Sequence, residues 1–178
     1  MTIDFLGITL QSYSWQTVLG SSISGVFLGS IYALVALGLT LIYGVLHIIN
    51  FAHGSLLMLA MYAVFFLWNI LGLDPYLSML IVVPCGYLFG YTLQRTIIGK
   101  ASHGKDEITL LVMLGVSIIM ENTALFFFTA TDRSVRVAYD LDGFDLGVTY
   151  VVYPEIAALL GSLLITLVLW FFMSYTDT

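Results

Sequence analysis

The chain has 178 residues, of which 60% are hydrophobic and 9% charged, against about 25% charged residues in a soluble globular domain. With a mean hydropathy of +1.03, it falls in the integral-membrane class. Five Lys and Arg against 11 Asp and Glu give a formal charge of -6, so no basic surface exists to meet phosphates and nucleic acid is excluded as a partner.

Cys85 is the single cysteine, which rules out an intrachain disulfide and a thiolate metal cluster. Its place in an apolar run reads as a small buried hydrophobe. Residues 1 to 17 lack a basic n-region and contain Asp4, Gln11 and Gln16, so no cleavable signal peptide is expected. Trp15 reads as an interfacial anchor before the first long apolar run. No linker, low-complexity tract, internal repeat or soluble domain stands out.

A bilayer span needs about 20 mostly apolar residues. In chain order the spans are expected at 18–46, 55–71, 76–93, 109–128 and 156–175, the second starting as early as Ile48. The expected fold is therefore all-α: a polytopic membrane protein with five transmembrane helices, and residues 1–178 form a single transmembrane domain. Arg95, Lys100 and Lys105 crowd the loop after the third span, while Arg133 and Arg136 share theirs with Asp132, Asp140, Asp142 and Asp145. Short loops rich in Lys and Arg favour the cytoplasmic side. The amino terminus then lies outside and the carboxyl end, Thr178, in the cytoplasm.

The segment between the fourth and fifth spans, 129 to 154, faces outward in this arrangement. Val and Tyr flank Asp142-Gly143, which suits either a hairpin turning at that dipeptide or an irregular loop, and its few charges suggest no substrate role. Gly25, Gly29 and Ala33 recur every four residues in the first span, and Gly86 and Gly90 in the third. Such small stripes let a neighbouring backbone approach closely, inside the chain or on a partner subunit. Pro84 removes a donor and is a place for the third helix to bend.

Polar residues inside the apolar runs carry the functional signal. Asn50 and His53 are three apart and share a face if helical, with His47 three further back, and Gly54 follows. They suit the wall of an aqueous cavity, where amide and imidazole donate and accept hydrogen bonds. Asn50 also suits a cap on the second helix, accepting from the N–H near Ala52 or His53. Too few ligands accompany His47 and His53 for a metal site.

Glu121 and Asn122 lie near the middle of the fourth span, Glu121 about 4 Å from its centre. An acidic side chain there costs roughly 2.5–3.5 kcal/mol, while a hydrogen bond returns about 1 kcal/mol. Glu121 is therefore expected to face inward, paired with His53 or Asn50 across the bundle, as structural glue, cavity lining or a proton-coupling group. Ser117 and Gly115 extend the same stripe. Leu57, Met61 and Phe65, with Tyr62 and Phe66 beside them, give the second helix an apolar face for aliphatic substrate, lipid or protein. No phosphate loop, nucleophile triad or zinc signature occurs, and "GKASHGKDE" at 99 to 107 lacks phosphate-loop spacing. The chain is not expected to be an enzyme.

"GSIYALVALGLTLIYGVLHIINFAHGSLLMLAMY", 29 to 62, and "TLLVMLGVSIIMENTALFFFTATDRSV", 109 to 135, resemble the inner-membrane permeases of branched-chain amino-acid ABC transporters, the LivH type. Related permeases for urea or amides share versions of the 49–54 block. The resemblance implies a permease subunit in a bacterial inner membrane, paired with a second permease subunit. Cytoplasmic ATPase subunits would consume the ATP, this chain holding no cofactor, and a periplasmic substrate-binding protein would deliver leucine, isoleucine or valine. Asn50, His53 and Gly54 fall in the family's cavity-side motif, and Glu121 with Asn122 in its mid-helix polar pair. Family members continue for roughly three more helices, including a loop that docks on the ATPase. The sequence ends at "YTDT" where that loop is expected, which reads as the amino-terminal part of a longer permease. A passive channel, or an accessory membrane protein, is the alternative of a different class.

Overall fold

The computed structural model describes residues 2–5, 8–11, 14–46, 50–101, 106–147 and 149–175. His47, Lys105 and the carboxyl-terminal Thr178 lie outside the described residues. The elements are β1 (Thr2–Phe5), β2 (Ile8–Gln11), α1 (Trp15–Leu46), α2 (His53–Leu71), α3 (Pro75–Leu93), α4 (Gly99–Ala101), α5 (Asp106–Phe128), β3 (Gly143–Asp145), β4 (Tyr150–Val152) and α6 (Tyr153–Tyr175). A π-helical turn, Gln94–Ile98, joins α3 to α4.

Five of these helices are long and apolar enough to cross a membrane, each within a few residues of its expected span. Large apolar side chains such as Val26, Leu80, Phe126 and Leu163 are exposed on them. Helices that are apolar all round belong in lipid or in a larger assembly rather than in water. The all-α expectation needs one correction, because two small antiparallel hairpins accompany the helices. β1 pairs with β2, Thr2 opposite Gln11, and β3 pairs with β4, Gly143 opposite Val152.

The chain divides into two compact units, one made of Met1–Leu37 and Ala138–Thr178, the other of Gly38–Val137. In the first unit β4 runs directly into α6. The β3–β4 hairpin reverses after Asp145, not at Asp142-Gly143 as the dipeptide suggested. Asp145 accepts the Gly147 N–H at 2.8 Å, Gly147 sits in the left-handed region at φ 75°, and the Leu146 N–H reaches the Thr149 carbonyl at 3.1 Å. Glycine adopts that backbone at no steric cost, so the turn forms where Gly147 allows it. Gly143 is instead a paired strand residue whose Cα lies against the Val151 carbonyl, leaving no room for a Cβ.

The second unit holds α2 against both α3 and α5. The α2–α3 connection is short because each side of it is capped. Gly72, at φ 65°, closes α2, its N–H donating to the Trp68 carbonyl and that of Leu73 to the Leu67 carbonyl, a left-handed cap that glycine favours. Asp74 opens α3 by accepting the Tyr76 N–H at 2.9 Å, with Pro75 at the first helical position, where a missing N–H costs nothing. Helix α3 continues through Pro84. Ala52, Ile98, Met113, Val116 and Met120 form the buried core, with Leu56, Leu59, Leu93 and Val112 packed on it. This core holds the start of α2 and the π-turn against the middle of α5.

Candidate functional site

The polar residues of the second unit are positioned by the entry into α2. Asn50 is buried and precedes the helix. Its Oδ1 accepts the Ala52 N–H at 3.0 Å, and its carbonyl accepts the His53 N–H at 3.2 Å. A side-chain amide that stands in for a backbone turn starts the helix where no cap residue does so. The chain at Asn50 is consequently not helical, and Asn50 and His53 do not share a helical face. Residues Asn50 to Ala52 are irregular backbone next to an apolar helix, which in a membrane requires shielding by protein or a cavity.

Asn50 lines such a space. A cavity of about 540 Å³ lies between the end of α1, the start of α2, α3 and α5. Ile42, Leu56, Leu93 and Met113 make its walls apolar, and Asn50, Tyr87, Tyr91 and Gln94 add polar groups. A mostly apolar cleft with a few placed polar groups is the usual form of a small-molecule site. The His53 imidazole lies against Gly38 of α1, where a Cβ would be 3.5 Å from Cε1. Gly54 is exposed and has open space around it.

Glu121 is held by serines rather than by His53 or Asn50. Its Oε1 accepts from Ser55 Oγ at 2.8 Å and from Ser117 Oγ at 3.0 Å, while the two hydroxyls stand 2.6 Å apart. Ser117 precedes Glu121 by one helical turn, so α5 alone aligns that pair. Ser55 arrives from α2, two residues after His53, and ties the two helices together. Both serines are buried, whereas the carboxylate reaches the exposed edge of the unit. Asn122 points elsewhere, donating from Nδ2 to the Ile118 carbonyl of its own helix at 2.8 Å, and is exposed. The structure therefore joins Glu121 to the motif region through Ser55 and separates Asn122 from it.

The small-residue stripes are open. A Cβ added at Gly25, Gly29, Gly86 or Gly90 meets nothing within 4 Å, and Ala33 is exposed. Gly86 and Gly90 instead border a second, apolar groove of about 630 Å³ between α2 and α3. Cys85 lies in the same groove and is exposed, contrary to its expected burial, because the groove leaves this face of α3 uncovered. Among the described residues no group of three or more His, Cys, Asp or Glu can hold a metal ion.

Sequence reasoning missed Ser55 as the link to Glu121, although its place directly after Gly54 in the motif was visible. Tyr87, Tyr91 and Gln94 gave no signal of their own, since tyrosines in a span read as interfacial or packing residues.

The description "branched-chain amino acid transport system / permease component" fits a protein-family model that matches residues 3–178, and the chain belongs to that family. It is 30% identical over 121 residues to the high-affinity branched-chain amino acid transport system permease protein BraD of Pseudomonas aeruginosa, covering 64% of this chain and 39% of BraD. The corresponding LivH permease proteins of Salmonella typhimurium and Escherichia coli are each 32% identical over 107 residues, covering 56% of this chain and 35% of theirs. The matched stretch thus spans little more than a third of the length of these relatives. No solved structure matches the chain.

Proposed function

We propose that this chain is a membrane-spanning permease subunit, or part of one, in a binding-protein-dependent ABC importer of branched-chain amino acids. The observation that carries the reading is the family match across residues 3–178. The cavity beside Asn50 supports it, because its apolar walls and few polar groups suit a small solute with an aliphatic side chain. On this reading Asn50, His53, Gly54 and Glu121 border the route, and Ser55 and Ser117 keep the Glu121 carboxylate in place. A second permease subunit, cytoplasmic ATPases and a periplasmic binding protein complete the transporter in a bacterial inner membrane. The amino terminus lies outside, following the basic loop after the third span.

Uptake tests the substrate class. In cells carrying the complete locus, labelled leucine is expected to enter at a rate that collapses when the gene is deleted, with urea and short amides entering far more slowly. Equal entry of all three, or leucine entry indifferent to the deletion, sinks the assignment.

A further inference from the structure

We propose that a pocket at the far end of the α2–α5 pair is a docking site for a zwitterionic aliphatic amino acid, separate from the cavity beside Asn50. The proposal rests on reading the chain as an amino-acid permease and adds a second site to it. The pocket encloses about 290 Å³, close to the lower end of the roughly 300–1,000 Å³ of small-molecule sites. Met58, Met61 and Phe65 of α2 and Leu125 of α5 supply its apolar side, and Asp132 and Arg133 supply one charge of each sign.

The guanidinium is held in place by the protein. Arg133 Nη2 donates to the Phe128 carbonyl at 2.9 Å, and its Cζ lies 5.4 Å from the Phe65 ring centre and 5.8 Å from that of Phe66. Both contacts fix the position of a cation on the pocket wall, and they use one of its five N–H donors. The backbone leading to it is unusual. Thr129 ends α5 at φ 63°, a left-handed conformation that a β-branched residue rarely adopts, and such outliers concentrate at binding and switching sites. Its N–H still closes the helix on the Leu125 carbonyl at 3.0 Å.

The pairing of charges selects the ligand. A simple anion or cation meets one attractive and one repulsive charge in the pocket, whereas a zwitterion matches both. The carboxylate goes to the Arg133 fork, which suits it geometrically, and the ammonium to Asp132. Methionines adapt to aliphatic side chains of different shape, so Met58 and Met61 accommodate more than one member of that class.

The test uses the complete transporter in proteoliposomes, with Cys85→Ala and Met61→Cys in this chain. Reaction of the introduced thiol with a maleimide is followed by mass spectrometry. L-Leucine is expected to slow the reaction, while leucinamide, lacking the carboxylate, and 4-methylpentanoate, lacking the ammonium, do so only at about tenfold higher concentration or more. Asp132→Asn and Arg133→Lys are each expected to raise the leucine midpoint about tenfold, the effect of losing one charge-assisted hydrogen bond. Asp132 makes no side-chain hydrogen bond among the described residues, so its variant keeps the fold and decides the matter alone. A leucine midpoint unchanged by Asp132→Asn, or no protection by leucine at all, overturns the proposal. Leucine uptake by the same preparation separates the two failures. Uptake without protection removes this pocket only, while absence of uptake removes the permease reading as well.

Discussion

Glu121 shows how a costly side chain is kept at bilayer depth. Two hydroxyl protons are shared among three short contacts, Ser55 with Ser117 and each of them with Oε1. Such a triangle acts as a unit, and removing one member leaves the others partly satisfied. Ser55→Ala and Ser117→Ala are each expected to destabilise the transporter by about 1–3 kcal/mol, the cost of stripping a buried partner. The double variant should fall short of the sum by about 0.5 kcal/mol or more. Thermal unfolding of the purified complex, with all four proteins compared, measures this. Strict additivity would show that the serines serve Glu121 independently. Although the Glu121 side chain is exposed rather than turned inward as expected, the carboxylate's need for polar partners was readable from its position in the span. Its actual partners were not, since Ser55 lies 66 residues away in sequence and hydroxyls of serine are too common in helices to flag one.

At the scale of elements, the five long helices were legible because hydrocarbon imposes one rule, backbone pairing within the segment, and a length of about 20 residues. The caps that mark their ends, Gly72 and Asp74-Pro75, were not singled out in the sequence, although left-handed Gly and Pro at a first helical position are chemical signals for them. The hairpins were harder. β1–β2 was not anticipated, because four-residue strands separated by two residues carry little periodic signal. The β3–β4 hairpin was entertained, with its turn in the wrong place: Asp-Gly is a strong turn dipeptide, yet Asp145 and Gly147 take that role and Gly143 stays in the strand. Two glycine substitutions separate these roles. Gly143→Ala forces a Cβ into the Val151 carbonyl and is expected to cost roughly 1–3 kcal/mol, the range for overpacking. Hydrogen exchange at Val151 and Val152 should then quicken about tenfold. Gly86→Ala meets open space and should leave exchange in the second unit unchanged. A hairpin that exchanges at its original rate after Gly143→Ala would show that the strand pair has room the structure denies it.

For the molecule as a whole, the proposed sidedness is tested through charge and helix length together. Helix α5 has 23 residues, about 34 Å at 1.5 Å per residue, enough to cross a hydrocarbon core of about 30 Å. Lys100 precedes it and Ser134 follows it, both exposed, so a single crossing puts them on opposite faces of the membrane. On the proposed orientation the basic residues Arg95, Lys100 and Lys105 put the first of these faces in the cytoplasm. Single Lys100→Cys and Ser134→Cys variants in a Cys85→Ala background test this with a membrane-impermeant thiol reagent. In right-side-out spheroplasts the thiol at position 134 is expected to react and that at position 100 only after permeabilisation, and inverted vesicles should reverse the pattern. Reaction of both from one side would mean that α5 does not cross. A consistent but inverted pattern would keep the five crossings and move the Asp132–Arg133 pocket to the cytoplasmic face, where it would meet solute leaving the route instead of entering it.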